Sequence, residues 1–349
     1  MRAVFTKIIR RTKKALKAGL SGNAVKIVPR TALGDLRPVS ERDVLVSLMQ
    51  EKESVDLVRA EDAYLWIYRN DNFYKQLSNQ DKNLNRQSLK SLKASVPNEP
   101  QFTALRHILS IEKGAAIFDI GCNYGREAVR IRRILDAEGA AGPLFMFDPG
   151  VAGKLAHLNM LLNGLTGFEY YNIAISDIDG HVLVHLVSGQ SQDNKIINRR
   201  DDAISIPVRA MRLDSFVKDR IPSPSACFMK CDTQGAEFEV LRGFEKSALY
   251  HRMAGVIEFF PNGLATRIRP AVFAEKLCRD FSVYDLGPHR RFFYPVSPDN
   301  LESLFARIEK FNPPYTDLLL ISKGLPGESA LKRRLMKEFG ERRDALSSR

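Results

Sequence analysis

The sequence predicts an α/β fold built on a mostly parallel sheet, and three observations carry that expectation. Beyond about residue 98, short apolar runs alternate with amphipathic stretches, as βαβ units require. The first run ends in a glycine turn, Gly121-Cys122-Asn123-Tyr124-Gly125, that opens directly into a helical pattern. Asp119, Asp148 and Asp232 close three separate runs, at the strand ends where open α/β sheets bind their ligands.

The chain has 349 residues, length for one large domain with extensions or for two domains. Residues 1–97 read as a basic helical N-terminal extension. Phe5, Ile8, Ile9, Leu16 and Leu20 follow helical spacing among lysines and arginines, and Val44, Leu45, Leu48, Met49 and then Tyr64, Leu65, Ile67, Tyr68 repeat it. The polar stretch from Gln76 to Ser95 runs into Pro97 and Pro100, which sets a boundary near Asn98. From 98 to 325, seven strands are expected at AAIFDIG, PLFMFD, FEYYNIAI, ACFMKCD, AGVIEFF, FSVYDL and TDLLLIS. Helices are expected at Arg126–Ala137, Gly153–Leu162, Ala236–Ala248 and Ala271–Arg279. HVLVHLV and AISIPVRAM, joined by a polar loop from Ser188 to Asp202, form an inserted β-hairpin beside the ligand crevice. Residues 326–349 are a basic C-terminal helix or tail.

Composition excludes several classes. With 44% hydrophobic and 27% charged residues the chain is neither disordered nor fibrous. No apolar run approaches the ~18 residues of a spanning helix. The start lacks a signal-peptide h-region, so the expected location is the cytoplasm. The four cysteines show no paired spacing, which predicts buried free thiols. His181 and His185 would stand ~13 Å apart on a strand, and no metal site is expected. A net charge of +12 is concentrated at the ends, with no acid between Met1 and Arg30. Such ends attract polyanions, and the N-terminal helix suits an anionic membrane surface or packing on its own domain.

The candidate ligand residues follow from these strand ends. Gly121 and Gly125 let the backbone turn tightly and approach a ligand. Asn123 stands where a dinucleotide fingerprint needs glycine, so a pyrophosphate cradle is disfavoured, and Asp119 beside the turn suits an amine-bearing ligand instead. Asp148 is placed to accept from ribose hydroxyls. Ala174, Ile175, Ser176 and Asp177 follow the third strand and suit the flank of an adenine ring. The fourth strand delivers Lys230-Cys231-Asp232-Thr233-Gln234-Gly235-Ala236-Glu237, with Lys230 and Asp232 on one face by strand parity.

In order and spacing these pieces resemble the FkbM-type S-adenosylmethionine-dependent methyltransferases, from about Asn98 to Lys323. FDIGCNYG stands for the family's D-x-G-x-N-x-G, FDP for F-E-P, and AISDIDG follows the third strand. VRAMRLDSF matches a strand followed by T-L-D, and FMKCDTQGAEFEVLRG matches K-x-D-x-x-G-A-E-x-x-V-L-x-G. Cys122 and Asp148 replace the family's usual Ala and Glu. The resemblance implies a class I methyltransferase (Rossmann-like) sheet, S-adenosyl-L-methionine as donor, and O-methylation of a hydroxyl on a glycan, sugar or secondary metabolite. Donor contacts are then expected from Asp119, Gly121, Asn123, Gly125, Asp148, Ala174, Ile175, Ser176, Asp177 and Asp232. Asp232, Lys230, Glu237 and Glu258 are the candidates for catalysis, with Asp232 ranked above every histidine; only His289 has a path to the crevice.

Two other readings compete. A chain that keeps the fold as a binding or scaffold protein would bind a donor without turning it over, and an oxidoreductase would want the missing second glycine. Asn312-Pro313-Pro314-Tyr315 spells the N-P-P-Y of adenine amino-methyltransferases. There the motif follows the fourth strand, whereas here it leads into the last, so it reads as a loop-entry turn and nucleic acid is set aside as substrate.

Overall fold

The computed structural model describes residues 36–44, 55–60, 63–72, 74, 98–185, 195–197, 205–221, 226–290 and 292–340. The basic segment 1–30, with its expected amphipathic helix, lies outside the described residues, as does the end of the C-terminal tail. Residues 37–349 form one compact unit, so the described part of the N-terminal segment belongs to the same body as the sheet.

The first strands among the described residues are β1 (Val55–Ala60) and β2 (Ala63–Tyr68), an antiparallel hairpin. This corrects the helical reading around Tyr64. Burial there alternates with period two, Ala63, Leu65 and Ile67 inward, and the aromatic-rich AYLWIY fits a half-buried pleat better than a helix. The open edge of β2 is closed by side-chain amides at Asn159 and Asn163, within and just after the helix Val151–Leu162. Asn159 accepts from Trp66 N at 2.6 Å and donates to Trp66 O at 3.2 Å. Asn163 does the same for Tyr64, at 3.1 and 2.7 Å. Two asparagines four apart on one helix face thus imitate the missing neighbour strand.

The body then alternates α1 (Pro100–Ile111), β3 (Ala116–Ile120), α2 (Arg126–Ala137), β4 (Leu144–Phe147), α3 (Val151–Leu162) and β5 (Phe168–Tyr171). Next come β6 (Ala174–Ser176), β7 (Gly180–His185), β8 (Lys195–Ile197), β9 (Ser205–Arg212), α4 (Leu213–Arg220), β10 (Cys227–Cys231) and α5 (Glu237–Arg242). The remainder is β11 (Met253–Phe259), α6 (Pro261–Leu264), α7 (Pro270–Asp280), β12 (Phe281–Gly287), β13 (Tyr294–Val296), α8 (Leu301–Ile308), β14 (Thr316–Ser322) and α9 (Glu328–Phe339).

Each of the seven expected runs contributes a strand to the main sheet, one of them only in part, and β13 adds an eighth at one edge; the order is β13-β12-β14-β11-β10-β3-β4-β5. The run β11-β10-β3-β4-β5 is parallel throughout, and β14 runs antiparallel between β11 and β12. β3 and β10 are buried at every residue, as strands covered by helices on both faces must be. Phe145, Phe147, Tyr171 and Phe216 pack edge-on and stacked on one face, with ring centroids 5.0–5.5 Å apart.

FEYYNIAI does not form one strand. Its pairing with β4 ends at Phe147↔Tyr171, because β4 itself stops at Asp148-Pro149. The chain turns at Asn172, and Ala174–Ser176 continue as β6, parallel to β9 in a second sheet of order β6-β9-β7-β8. The inserted hairpin is therefore part of a four-stranded sheet. The helix expected over Ala236–Ala248 closes at Arg242, and a 3-10 turn follows at Ala248–Arg252. Among the described residues no helix is long and apolar enough to cross a membrane, and all four cysteines are buried and unpaired.

Candidate functional site

The glycine turn is shaped by its backbone. Gly121, Asn123 and Gly125 all have positive φ (74°, 46° and 78°), so the chain reverses sharply between β3 and α2. A Cβ on Gly121 would stand 1.8 Å from the Asp232 carbonyl oxygen, so only glycine lets the two strand ends meet. Gly121 N and Cys122 N donate to Phe147 O, while Asn123 N donates to Asp148 Oδ2 at 2.8 Å. Gly150 N donates to Asp148 Oδ1 at 2.7 Å. Both oxygens of Asp148 are thus fixed by backbone donors and each keeps a lone pair for a ligand. Burial pushes this carboxyl upward, and the two N–H donors oppose it. The turn is buttressed from the N-terminal hairpin side: Tyr124 Oη donates to Asp71 at 2.9 Å, and Asn159 Nδ2 donates to Tyr124 O.

Behind the turn, Asp119 and Lys230 face each other across the β3–β10 register. Asp119 is fully buried, and neither carboxylate oxygen accepts a hydrogen bond among the described residues. Burial pushes its carboxyl up to about 6, against the pull of Lys230. Lys230 Nζ donates to Gly121 O at 2.7 Å and lies 3.4 Å from Asp119 and 3.6 Å from Asp232. Burial works against its charge, but those two carboxylates outweigh it and hold the ammonium above the ordinary lysine value. Lys230 is therefore a buried, charged tether between the strand ends.

Glu237 is likewise engaged within its own turn. Its carboxylate, fully buried, accepts from Thr233 N (2.7 Å), Thr233 Oγ1 (3.0 Å) and Gly235 N (3.0 Å). Burial pushes it up to about 7. Both oxygens accept hydrogen bonds that shape the turn after β10.

Gln234 stands at the tip of that turn with φ 58°. Its Nε2 donates to Asp232 Oδ1 at 3.0 Å and to Glu258 Oε2 at 2.9 Å. Glu258 is paired in register with Asp317 across the β11–β14 ladder, which sets the two side chains on one face. Burial, then Asp232, Glu237 and Asp317, push Glu258 well above the carboxylate range. Asp317 is pushed up to about 6 by burial despite Arg290, whose Nε donates to it at 3.0 Å. Arg290 also donates to Glu127 at 2.5 Å and lies 3.7 Å from Glu99. Glu127, held by Arg290 and Arg130 against its burial, falls to about 2. The Tyr315 phenol lies in the field of Asp317, Glu258 and Asp232, all of which, after burial, push it upward.

Asp119, Gly121, Asn123, Gly125, Asp148, Lys230 and Asp232 therefore gather at neighbouring strand ends, and Gln234 links Asp232 to Glu258. Ala174, Ile175 and Ser176 are buried in β6, and Asp177 pairs with Arg242 at 2.9 Å on the flank of the second sheet. The histidines lie where expected: His107 in α1, His157 in α3, His181 and His185 in β7, His251 before β11. His289 falls in the 3-10 turn Pro288–Arg290, and its side chain is outside the described residues. Among the described residues no group of acids, cysteines and histidines is arranged to hold a metal ion. Sequence reading missed Gln234, Arg290, Asp317 and Tyr315. For Asp317 the signal was there, a lone acid inside the apolar run TDLLLIS; Tyr315 sat in the N-P-P-Y turn that was set aside.

The chain matches the methyltransferase FkbM domain over residues 93–273. An O-methyltransferase of tomaymycin synthesis from Streptomyces achromogenes, solved with S-adenosylmethionine, is similar at 13% identity, covering 64% of this chain and 80% of that one with a TM-score of 0.33. A putative O-methyltransferase from Klebsiella pneumoniae stands at 11%, 66%, 82% and 0.33 in the same measures. A precorrin-6y C5,15-methyltransferase from Geobacter metallireducens stands at 10%, 68%, 93% and 0.32. No curated protein matches the chain.

Proposed function

From the premise that this chain belongs to the FkbM methyltransferase family and uses S-adenosyl-L-methionine, we propose that it methylates a hydroxyl oxygen of a glycan, sugar or secondary metabolite. The observation that carries the reading is the acidity of the crevice. Asp232 and Glu258 border it, and its nearest cations, Lys230 and Arg290, are both engaged by carboxylates. Such a lining repels carboxylate and phosphate acceptors and offers hydrogen-bond acceptors to neutral hydroxyls.

The donor fits the residues present. Asp148, its oxygens pre-aimed by Asn123 N and Gly150 N, takes the ribose hydroxyls, and the turn from Gly121 to Gly125 gives the backbone close approach. Asp119 and Asp232 surround the amino-acid end with negative charge, and Lys230 keeps that charge from unfolding the strand ends. When bound, S-adenosylmethionine supplies an electrophilic methyl carbon. The protein's part is to hold an acceptor oxygen in line with it, and positioning of this kind accounts for most of the acceleration.

Donor labelled in the methyl group, incubated with a panel of neutral sugars, glycolipids, phenols, carboxylic acids and oligonucleotides, tests the reading. Label in an alkali-stable ether of a hydroxyl compound is the expected result. Label in an alkali-labile ester or on a nucleobase would sink it, as would donor binding with no transfer to any member.

A further inference from the structure

We propose that Glu258 is the group that takes the acceptor's proton, and that Gln234 is a positioning residue that holds it for that task beside the donor-side Asp232. The proposal rests on the methyl-transfer reading above and assigns roles within the same crevice.

The two carboxylates are joined by one primary amide. Gln234 Nε2 uses one hydrogen on Asp232 Oδ1 and the other on Glu258 Oε2. That leaves one oxygen free on each, and their surroundings differ. Asp232 Oδ2 lies 3.6 Å from the Lys230 ammonium, itself tied to Asp119 and the Gly121 carbonyl. Asp232 is thereby bound into the donor half. Among the described residues Glu258 faces no cation of its own: Arg290 is turned to Asp317, Glu127 and Glu99. Around Glu258 stand Asp232 and Glu237 from the turn after β10, Asp317 and the Tyr315 phenol from the start of β14, and Lys230 further back. Apart from that distant lysine these are acids or a phenol, so an ionised Glu258 is costly until a positive charge arrives.

The donor brings that charge, since its sulfonium carries +1 and its demethylated product carries none. Binding of the sulfonium lowers the cost of ionising Glu258, and the carboxyl releases its proton to solvent before chemistry begins. In the transfer step the acceptor oxygen bonds to the methyl carbon, the carbon–sulfur bond breaks with its electron pair going to sulfur, and the acceptor's proton passes to the Glu258 carboxylate. Atoms and charge balance: a sulfonium, an alcohol and a carboxylate become a thioether, a methyl ether and a carboxylic acid. The same coupling makes Glu258 a base only when a loaded donor is present.

The test needs no acceptor. Calorimetry of S-adenosylmethionine and S-adenosylhomocysteine binding, each in buffers of different ionisation enthalpy, counts protons released. Wild type should release more protons with S-adenosylmethionine, and Glu258→Gln should remove up to one proton of that difference. A difference of the same size in Glu258→Gln and wild type would overturn the assignment, because the proton would then come from the ligand or another group. In Gln234→Leu the carboxylate loses a donor that favours its charged form, so the pH of maximal release should move upward; an unmoved maximum would remove Gln234 from the proposal. If Glu258→Gln fails to bind either compound, infrared difference spectra of wild type decide instead: loss of a protonated-carboxyl band on adding S-adenosylmethionine but not S-adenosylhomocysteine is expected, and its absence refutes. Failure of the hydroxyl-acceptor reading would show separately, in the labelled-product panel, with this proton count unchanged.

Discussion

The two halves of the crevice are built on different scales of sequence. On the donor side Asp119, Gly121, Asn123, Gly125 and Asp148 lie within one βαβ unit, and Asp148 is fixed by backbone N–H groups of its own and the neighbouring turn. On the acceptor side Gln234, Glu258, Arg290, Tyr315 and Asp317 come from four separate segments and meet only through the β11–β14 register and a buried arginine. A ligand common to a family can be held by a local motif, while the partner that differs between members is met by long-range packing. Local turns rest on backbone geometry; the distant assembly rests on charge, and so it should break differently.

The largest effect is expected where distant segments are held by one side chain. Arg290 is nearly buried and faces Asp317, Glu127 and Glu99. Arg290→Met takes the arginine from Asp317 and leaves Glu127 and Glu99 with Arg130 alone, and breaking a buried pair from one side costs ~3–5 kcal/mol. Urea unfolding should show that loss. A loss under about 1 kcal/mol would mean the acceptor side does not depend on this residue, and the contrast with the donor side would fail.

Next in size is a pH effect of opposite sign at Asp119 and at Glu127, the carboxylate that Arg290 holds. Asp119 sits at about 6 in the fold, above its ordinary value, so its contribution is fully present below about pH 4 and is lost as pH rises through 6. Glu127 sits at about 2, so its contribution is present above about 4.5 and is lost as pH falls toward 2. Relative to wild type, Asp119→Asn should therefore gain stability between pH 4 and 7, by up to ~2–3 kcal/mol for a shift of this size. Glu127→Gln should lose stability most at neutral pH and least near pH 2. Chemical denaturation across that range measures both, and parallel profiles for the two variants would contradict the assignment.

How much was legible follows the same division. The strand that ends in Asp119, the glycine turn and Asp148 are contiguous motifs whose residue types state their geometry, and the structure sets them at neighbouring strand ends. Lys230 and Asp232 were correctly placed on one face, but parity does not reveal burial, and only the β3 register shows that Lys230 is spent on Asp119 and Gly121. Glu237 is a candidate by residue type and place in the turn, and sequence does not show that three donors from that turn engage it. Gln234 carries no charge and has no spacing signature. Its role appears only when β11 brings Glu258 within 2.9 Å. The Tyr64 segment failed for another reason: helical and strand spacing coincide over so short a run, and Asn159 and Asn163, almost 100 residues away, settle it by capping the strand edge.

A smaller effect sharpens the donor side. Asp148→Ala removes the acceptor of Asn123 N and Gly150 N as well as the ribose contact, and should weaken S-adenosylhomocysteine binding by ~1–3 kcal/mol. Calorimetry reads it directly, and unchanged affinity would displace the donor from the glycine turn.

The smallest expected change is the one that separates the halves. Glu258→Gln should alter S-adenosylhomocysteine affinity by no more than ~0.5 kcal/mol, the scale of substitutions that touch neither packing nor a paired charge. The reasoning is that Glu258 faces Asp317 and Gln234, while the donor-side carboxylate, Asp232, has its own lysine. S-adenosylhomocysteine carries no sulfonium, so it does not draw on the ionisation of Glu258, and a neutral amide in place of a protonated carboxyl preserves both shape and charge. Gln234 Nε2 still finds an oxygen to donate to. A loss comparable to that of Asp148→Ala would place Glu258 on the donor side, and the acceptor's proton would then need another destination, with Tyr315 and Asp317 the next groups in reach on β14 and the turn before it.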